Sequence, residues 1–181
     1  MINCFQILAD LKLSEKGETQ LLYYAVQFND EKIIKYVIWY NGEKDGIVCK
    51  NGKLLFFDSV KLLKEFCSDE KILLSNTDEP PVIYDLGYLK NWLRSPDNDF
   101  DCSEMLDLWN IIADALKNTE SDFIGDCEDE DIDSLYDKLF YGCNLPSYNT
   151  SDKKYIPEWT NEEIELLQKV LSQYKTFWPF F

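Results

Sequence analysis

The chain has 181 residues, 34 acidic side chains against 18 basic ones, and a formal net charge of −16. Hydrophobic residues make up 45% of it and aromatic residues 15%, which excludes a largely disordered chain and is enough for one folded domain. The negative charge repels nucleic-acid phosphates and the absence of histidine removes histidine-based catalysis, so we expect neither a nucleic-acid partner nor an enzyme of that kind.

The first part of the chain alternates apolar and polar residues between turn residues, a pattern typical of antiparallel strands. Asn41-Gly42 and Asn51-Gly52 are its strongest turn dipeptides, since both residue types accept the positive φ angles of tight hairpins. Further turns are predicted at residues 14–18 and 29–31. Because the connections are short, consecutive strands should be neighbours in an antiparallel meander. The predicted strands cover residues 2–13, 20–28, 33–40, 46–50 and 53–57.

Beyond residue 57 the apolar spacing lengthens to three and four residues, which favours helices. Ser59 is predicted to cap a short helix and Asp85 a second one, which the Ser95-Pro96 pair ends. A short strand is predicted at residues 71–74, and two consecutive prolines make residues 77–81 a loop. The apolar stripes are Leu62, Leu63 and Phe66 in the first helix and Leu86, Leu89, Trp92 and Leu93 in the second.

The rest of the chain is predicted to be mainly helical. Asp101 and Glu104 have the spacing of a capping box at a helix start, and Thr160 and Glu163 repeat it. The second of these helices should run until Pro179. A further helix at residues 131–140 and a loop at 141–157 are predicted between them. The apolar stripes are Met105, Leu108, Trp109, Ile112 and Leu116 in the first and Ile164, Leu167, Leu171 and Tyr174 in the second.

This order of elements predicts an α+β fold in a single domain over residues 1–181. Residues 1–75 should be mainly β with one short helix, and residues 76–181 mainly α with an acidic loop. We expect the antiparallel meander to pack against the helical half, with the helices covering one of its faces. No repeat and no linker composition argues for a second domain.

Several chemistries have no support in the sequence. No glycine motif of a dinucleotide site or a P-loop occurs, and Arg94 is the single arginine, so a phosphate cradle is not expected. The six cysteines lie at least sixteen residues apart without a close pair, which argues against zinc and for reduced thiols. We therefore expect no cofactor, no metal and no enzymatic activity, although paired carboxylates remain a possible catalytic site.

The negative charge is concentrated between Asp97 and Asp133, where fourteen carboxylates accompany one base, Lys117. Residues 120–133 are the densest part, and three interpretations apply to them. They form a solvated loop whose acids favour the following helix start, or a docking surface for lysines and arginines, or a metal site. A metal site has the least support, because the Asp-x-Asp-x-Asp runs at residues 97–101 and 129–133 both lack the glycine and the glutamate of an EF-hand loop.

Aromatic residues follow the acidic segment and end the chain. They belong either to the core of the helical half or to an interface in which aromatics anchor a partner while charges steer it. Trp178 and Phe180 are expected to pack, since an exposed aromatic run is an aggregation hazard. The predicted partner-binding residues are Asp122, Asp126, Glu128, Asp129, Glu130, Asp131, Asp133, Tyr136 and Tyr141.

With its small size, acidity, lack of a catalytic motif and acidic-aromatic segment at residues 122–141, the chain resembles the immunity proteins of bacterial toxin systems. These include the immunity proteins of contact-dependent growth inhibition and the colicin-type and barstar-like inhibitors. The resemblance implies a tight one-to-one complex with a basic cognate toxin domain, typically a nuclease, encoded beside it. The resemblance is one of type, because no family motif matches residue by residue.

Two other functions remain open from the sequence. An acidic mimic of nucleic acid, or a regulatory protein of that kind, would carry acids along an extended surface, and an enzyme would bury two carboxylates in a pocket. The chain has no long apolar run and its N-terminus lacks the basic region of an export signal, so we expect a cytoplasmic protein without membrane contact. We also expect a monomer.

Overall fold

The computed structural model describes residues 21–119, 121–148 and 153–180. In these residues the strands come from the first half of the chain and the helices fill the second, which confirms the predicted α+β fold class. The strand and the turn predicted at residues 2–13 and 14–18 lie outside the described residues.

A four-stranded mixed sheet forms one layer of the fold. The strands are β1 (Leu22–Asp30), β2 (Ile33–Asn41), β3 (Gly46–Ile47), β4 (Cys49–Lys50), β5 (Lys53–Leu54) and β6 (Val82–Asp85). The sheet order is β3-β2-β1-β6, and β4 and β5 form a separate pair. The β1–β2 hairpin is paired along its whole length, and its turn at residues 31–32, with Glu31 at φ 53°, shares only Glu31 with the turn predicted at residues 29–31. Asn51 and Gly52 have φ of 54° and 72° and make the predicted tight turn between β4 and β5.

Two predictions for the sheet are wrong. Asn41 belongs to β2, and a four-residue connection at 42–45 replaces the tight turn expected at Asn41-Gly42, with the Asp45 carboxylate accepting from the Asn41 side chain and the Gly42 amide. Residues 82–85, where no strand was predicted, form β6, which pairs parallel to β1 although an antiparallel sheet was expected. The sheet is therefore mixed rather than an antiparallel meander, because parallel pairing depends on a crossover that local patterns do not encode.

The strand predicted at residues 71–74 is also absent, and a side chain takes over part of its role. Leu74 makes only an isolated bridge to Tyr23. Two residues later the buried Asn76 amide accepts from the Ala25 amide at 2.8 Å and donates to the Ala25 carbonyl at 3.0 Å. These two hydrogen bonds satisfy the backbone amide and carbonyl of Ala25 at the edge of β1, because buried backbone groups need partners.

The helices begin where local capping chemistry predicts. They are α1 (Val60–Asp69), α2 (Leu86–Arg94), α3 (Cys102–Lys117), α4 (Glu130–Gly142), α5 (Asn161–Leu171) and α6 (Tyr174–Phe177), with a 3-10 turn at Ile124–Asp126. Ser59, Asp85, Asp101 and Thr160 are N-caps, as predicted, and Thr160 forms a full capping box with Glu163. The last helix, predicted to continue to Pro179, is interrupted after Leu171. Among the described residues no helix combines the length and the apolar character needed to cross a membrane.

Helices cover both faces of the sheet, whereas one covered face was expected. On one face Tyr24, Val26 and Phe28 of β1 join the main core with residues of α2 to α6. On the other, Ala25 of β1 packs in a smaller cluster with Leu63 of α1. The odd and even residues of β1 thus belong to different cores, as the two-residue period of a strand requires. In the part of the chain that the structure describes, the arrangement has three layers, with α1 on the outer side.

The C-terminal aromatic residues are packed, which confirms the expectation for Trp178 and Phe180. Trp178 is fully buried and its indole nitrogen donates to Asp30 at 2.7 Å. The other oxygen of Asp30 accepts from Lys90 at 2.8 Å. Phe180 is partly buried, with its ring 5.0 Å from that of Trp178. These contacts tie the chain end to β1 and α2.

Cys49, Cys67, Cys102, Cys127 and Cys143 have free thiols in the described part of the chain. Burial raises the pKa of the Cys102 thiol to about 11 and raises the pKa values of Cys49, Cys67 and Cys143. A thiol with a raised pKa stays protonated at neutral pH and is a weak nucleophile. These four thiols therefore act as small packing residues.

Candidate functional site

A concave surface lies between the 3-10 turn and the first turn of α4. It has a volume of about 520 Å³, and its described lining contains five exposed carboxylates and no basic residue. We name it the acidic hollow. Its lining residues are Gly125, Asp126, Cys127, Glu128, Asp129, Glu130 and Asp133. Clustered charge of one sign in a concave surface raises the local potential, so the hollow suits a cationic group.

One of these carboxylates has a clear structural role. Asp129 is the N-cap of α4, and its side chain accepts from the amides of Asp131 at 2.9 Å and Ile132 at 3.3 Å. The helix dipole also favours the neighbouring acids at this end. The side chains of Glu128, Glu130 and Asp133, in contrast, are exposed and do not cap the helix. Their carboxylates face solvent and are available to a partner.

The floor of the hollow is held by the core. A Cβ atom at Gly125 would lie 2.5 Å from the Phe123 ring and 2.7 Å from the Trp109 ring, so only glycine fits there. Gln173 fixes the backbone from the other side, accepting from the Ile124 amide at 2.8 Å and donating to the Asp122 carbonyl at 3.0 Å. The floor of the hollow is therefore fixed by contacts within the protein.

The structure brings together some predicted interface residues and separates others. Asp126, Glu128, Asp129, Glu130 and Asp133 meet in the hollow, and Asp122 and Asp131 are exposed beside it. The two uncharged lining residues, Gly125 and Cys127, were not predicted, although a glycine directly before the acidic run is a local signal for a turn there.

The two predicted tyrosines lie elsewhere on α4. Tyr136 is half-buried, with its ring 5.6 Å from that of Trp109 and its hydroxyl donating to Asn110 at 3.1 Å. Tyr141 is exposed near the opposite end of the helix, roughly 16 Å along the axis from Glu130. Tyr136 thus packs between helices, and Tyr141 belongs to a second concave surface.

The acidic run of the sequence is divided in space. Cys102, in the first turn of α3, contacts Gly142 at the end of α4, where a Cβ atom would lie 2.5 Å from the Cys102 sulfur. Helices α3 and α4 are therefore antiparallel, and residues 97–104 lie at the end of the pair opposite the hollow. The sixteen residues of α3 place roughly 24 Å between its two ends.

The two Asp-x-Asp-x-Asp runs serve turns and caps. Asp97 accepts from the Asp99 amide at 3.1 Å, and Asp101 accepts from the amides at the start of α3. In the second run Asp129 caps α4. Within the described ranges no group of three or more His, Cys, Asp or Glu side chains is placed to hold a metal ion.

Two carboxylates of α3 have strongly raised pKa values. Burial raises the pKa of Asp107 to about 7, with the charges of Asp101 and Glu104 adding to the effect. Burial also raises the pKa of Asp114 to about 6, although a hydrogen bond from Trp39 at 2.8 Å opposes the shift. The two residues lie about 10 Å apart along the helix, and neither lines the hollow or the pocket around Tyr141. They do not form a paired-carboxylate site in either concavity.

Comparison with known proteins returns no relative: no protein-family model, no curated protein and no solved structure matches the chain.

Proposed function

We propose that this protein acts by binding, in the cytoplasm, and that it neutralises a basic partner protein as immunity proteins do. The observation that carries the proposal is the acidic hollow, in which five exposed carboxylates converge and no base occurs among the described lining residues. The most concrete form of the partner is a toxin nuclease, since a nuclease cleft must be positive to hold nucleic acid. An acidic surface of matching shape can occlude such a cleft.

The electrostatics of the hollow favour rapid and selective association. Complementary charge raises association rates by orders of magnitude and penalises partners of the wrong sign. The net charge of −16 extends the attraction beyond the contact surface. Because the floor of the hollow is held by Trp109 and Gln173, little ordering is needed on binding.

The test compares two variants with the same change in charge. In the hollow variant Asp126→Asn, Glu128→Gln, Glu130→Gln and Asp133→Asn are combined, leaving the Asp129 cap intact. In the control Asp69→Asn, Glu70→Gln, Glu158→Gln and Glu165→Gln are combined, all at exposed positions outside the hollow.

Partners are captured with the tagged protein from its host, and each basic candidate is then produced alone for binding and inhibition assays. We expect a one-to-one complex that inhibits the partner, loses at least tenfold in affinity with the hollow variant, and changes little with the control. Equal losses in both variants would show that net charge alone matters. Unchanged binding in both would remove the hollow from the interface.

A second function is favoured by the division of the acids between the two ends of the α3–α4 pair. Acids spaced over a distance of about 24 Å suit an acidic mimic that occupies the DNA- or RNA-binding surface of a protein. A competition experiment with duplex DNA separates the two functions. Duplex DNA displaces a mimic from several unrelated DNA-binding proteins, whereas an immunity-type inhibitor acts on one cognate partner.

A further inference from the structure

A second concave surface lies at the C-terminal end of α4 and encloses about 510 Å³. We name it the aromatic pocket. The three tyrosines in its described lining are exposed: Tyr141 by 57%, Tyr148 by 67% and Tyr155 by 44%. Its lining residues are Phe140, Tyr141, Asn144, Leu145, Tyr148, Lys153 and Tyr155. Soluble proteins rarely leave several large aromatics together in water unless the surface binds something.

The pocket is held in shape by internal contacts. The Phe140 ring lies 5.7 Å from that of Tyr141 and 5.0 Å from that of Tyr148, both edge to face. The Asn144 side chain accepts from the Tyr155 amide at 2.6 Å and donates to the Tyr155 carbonyl at 2.9 Å. This clasp joins the end of α4 to the chain segment at Tyr155, two parts of the lining that are eleven residues apart in sequence.

The chemistry of the lining defines what can enter. Of the described lining residues, Phe140, three tyrosines and Leu145 present apolar surface, and Lys153 is charged. An uncharged apolar side chain fits this surface, since aromatic surface gains most from excluding water.

Helix α4 connects the aromatic pocket to the acidic hollow. Glu130, Asp133, Asp137 and Tyr141 are all exposed and recur every three or four residues, so they lie along one face of the helix. We name the three acids the acidic ridge. Glu130 and Asp133 line the hollow and Tyr141 lines the pocket. The face spans roughly 16 Å, a length compatible with one protein interface.

We propose that the aromatic pocket receives an apolar side chain, such as phenylalanine or leucine, from a basic partner whose lysines and arginines lie along the acidic ridge. The inference rests on the proposed function and extends it, because it assigns anchoring to the pocket and steering to the acids. Interfaces commonly combine these parts, with a few buried aromatic contacts carrying most of the affinity.

Synthetic peptides test the pocket without a known partner. Two peptides each join five lysines to one phenylalanine, which stands at the N-terminus in one peptide and at the C-terminus in the other. An extended chain of this length reaches about 20 Å, enough to cover the acidic ridge. A matched pair replaces phenylalanine with alanine, and a neutral peptide joins phenylalanine to five serines. Binding to the full-length protein is measured by calorimetry at low salt. The pocket variant is Tyr148→Ala, and Leu73→Ala, at an exposed residue outside the pocket, is its control.

We expect a phenylalanine-lysine peptide to bind about tenfold more tightly than its alanine counterpart. That difference in affinity should vanish in Tyr148→Ala and persist in Leu73→Ala. The double variant Asp133→Asn with Asp137→Asn should lower the affinity for the phenylalanine-lysine and the alanine-lysine peptides by the same factor. If the phenylalanine and alanine peptides bind alike, or the advantage survives Tyr148→Ala, the pocket assignment is overturned while the proposed function stands. If no lysine peptide binds, the proposal of a basic partner is refuted, and the assignment of the aromatic pocket is refuted with it.

Discussion

Asp107 on α3 has a carboxyl oxygen that is shielded from water and has no hydrogen bond in the described part of the chain to compensate for the lost hydration. Its Oδ1 atom is buried and finds no hydrogen-bond partner among the described residues. Burial raises the pKa of this carboxyl to about 7, and the nearby charges of Asp101 and Glu104 raise it further in the same direction. An ionised carboxylate in such a place destabilises the fold, so the stability of the protein should depend on pH.

The direction follows from comparing the folded and unfolded states. An unfolded aspartate titrates near 3.9, so between about pH 4 and pH 7 the folded state holds its proton while the unfolded state releases it. The free energy of unfolding therefore falls as pH rises through this window. A shift of about three pKa units corresponds to about 4 kcal/mol. Because Asp107 is only partly buried, solvent screening reduces the expected loss to about 1–3 kcal/mol.

The substitution Asp107→Asn removes the charge while keeping the shape. We expect the variant to exceed the wild type in stability by about 1–3 kcal/mol at pH 8 and to lose most of that advantage at pH 5. Urea unfolding followed by tryptophan fluorescence at pH 5, 6, 7 and 8 measures the difference directly. Asp114 also has a raised pKa, but it is present in both proteins and its contribution cancels.

The control is Asp137→Asn, which removes a charge from the exposed face of α4. Its stability relative to wild type should stay nearly constant over the same pH range. A pH-independent difference between Asp107→Asn and wild type would refute the reasoning, because it would mean that the carboxyl is solvated or paired in solution.

Substitutions at three further positions test the packing and the caps by urea unfolding. Asp30→Ala should cost about 3–5 kcal/mol, since it leaves Lys90 and a buried indole without their acceptor; a loss below about 1 kcal/mol would show that the pair is dispensable. Thr160→Ala should cost about 1 kcal/mol and Thr160→Ser much less, because serine keeps the capping oxygen; equal losses would contradict the cap. Gly125→Ala should cost about 1–3 kcal/mol through overpacking against Trp109, and a neutral effect would mean that the floor of the hollow yields.

Features governed by neighbouring residues were predictable from the sequence. The caps at Ser59, Asp85, Asp101 and Thr160 occur where predicted, because a capping side chain bonds to amides two or three residues away. The turn at Asn51-Gly52 follows for the same reason, since its φ angles depend on those two residues. The clustering of acids before α4 is likewise local, and it yields the acidic hollow.

The tertiary structure decided what depends on contacts between distant residues. Residues 82–85 become a strand only because β1 offers a parallel partner more than fifty residues away in sequence. Antiparallel packing of α3 and α4 divides one acidic run between the two ends of this helix pair. It also places Tyr141 in the aromatic pocket, away from the acidic hollow. The charge of each residue is a property of the sequence, but burial is a property of the packed structure. For that reason Asp107 could be identified as a carboxyl with a raised pKa only from its three-dimensional surroundings.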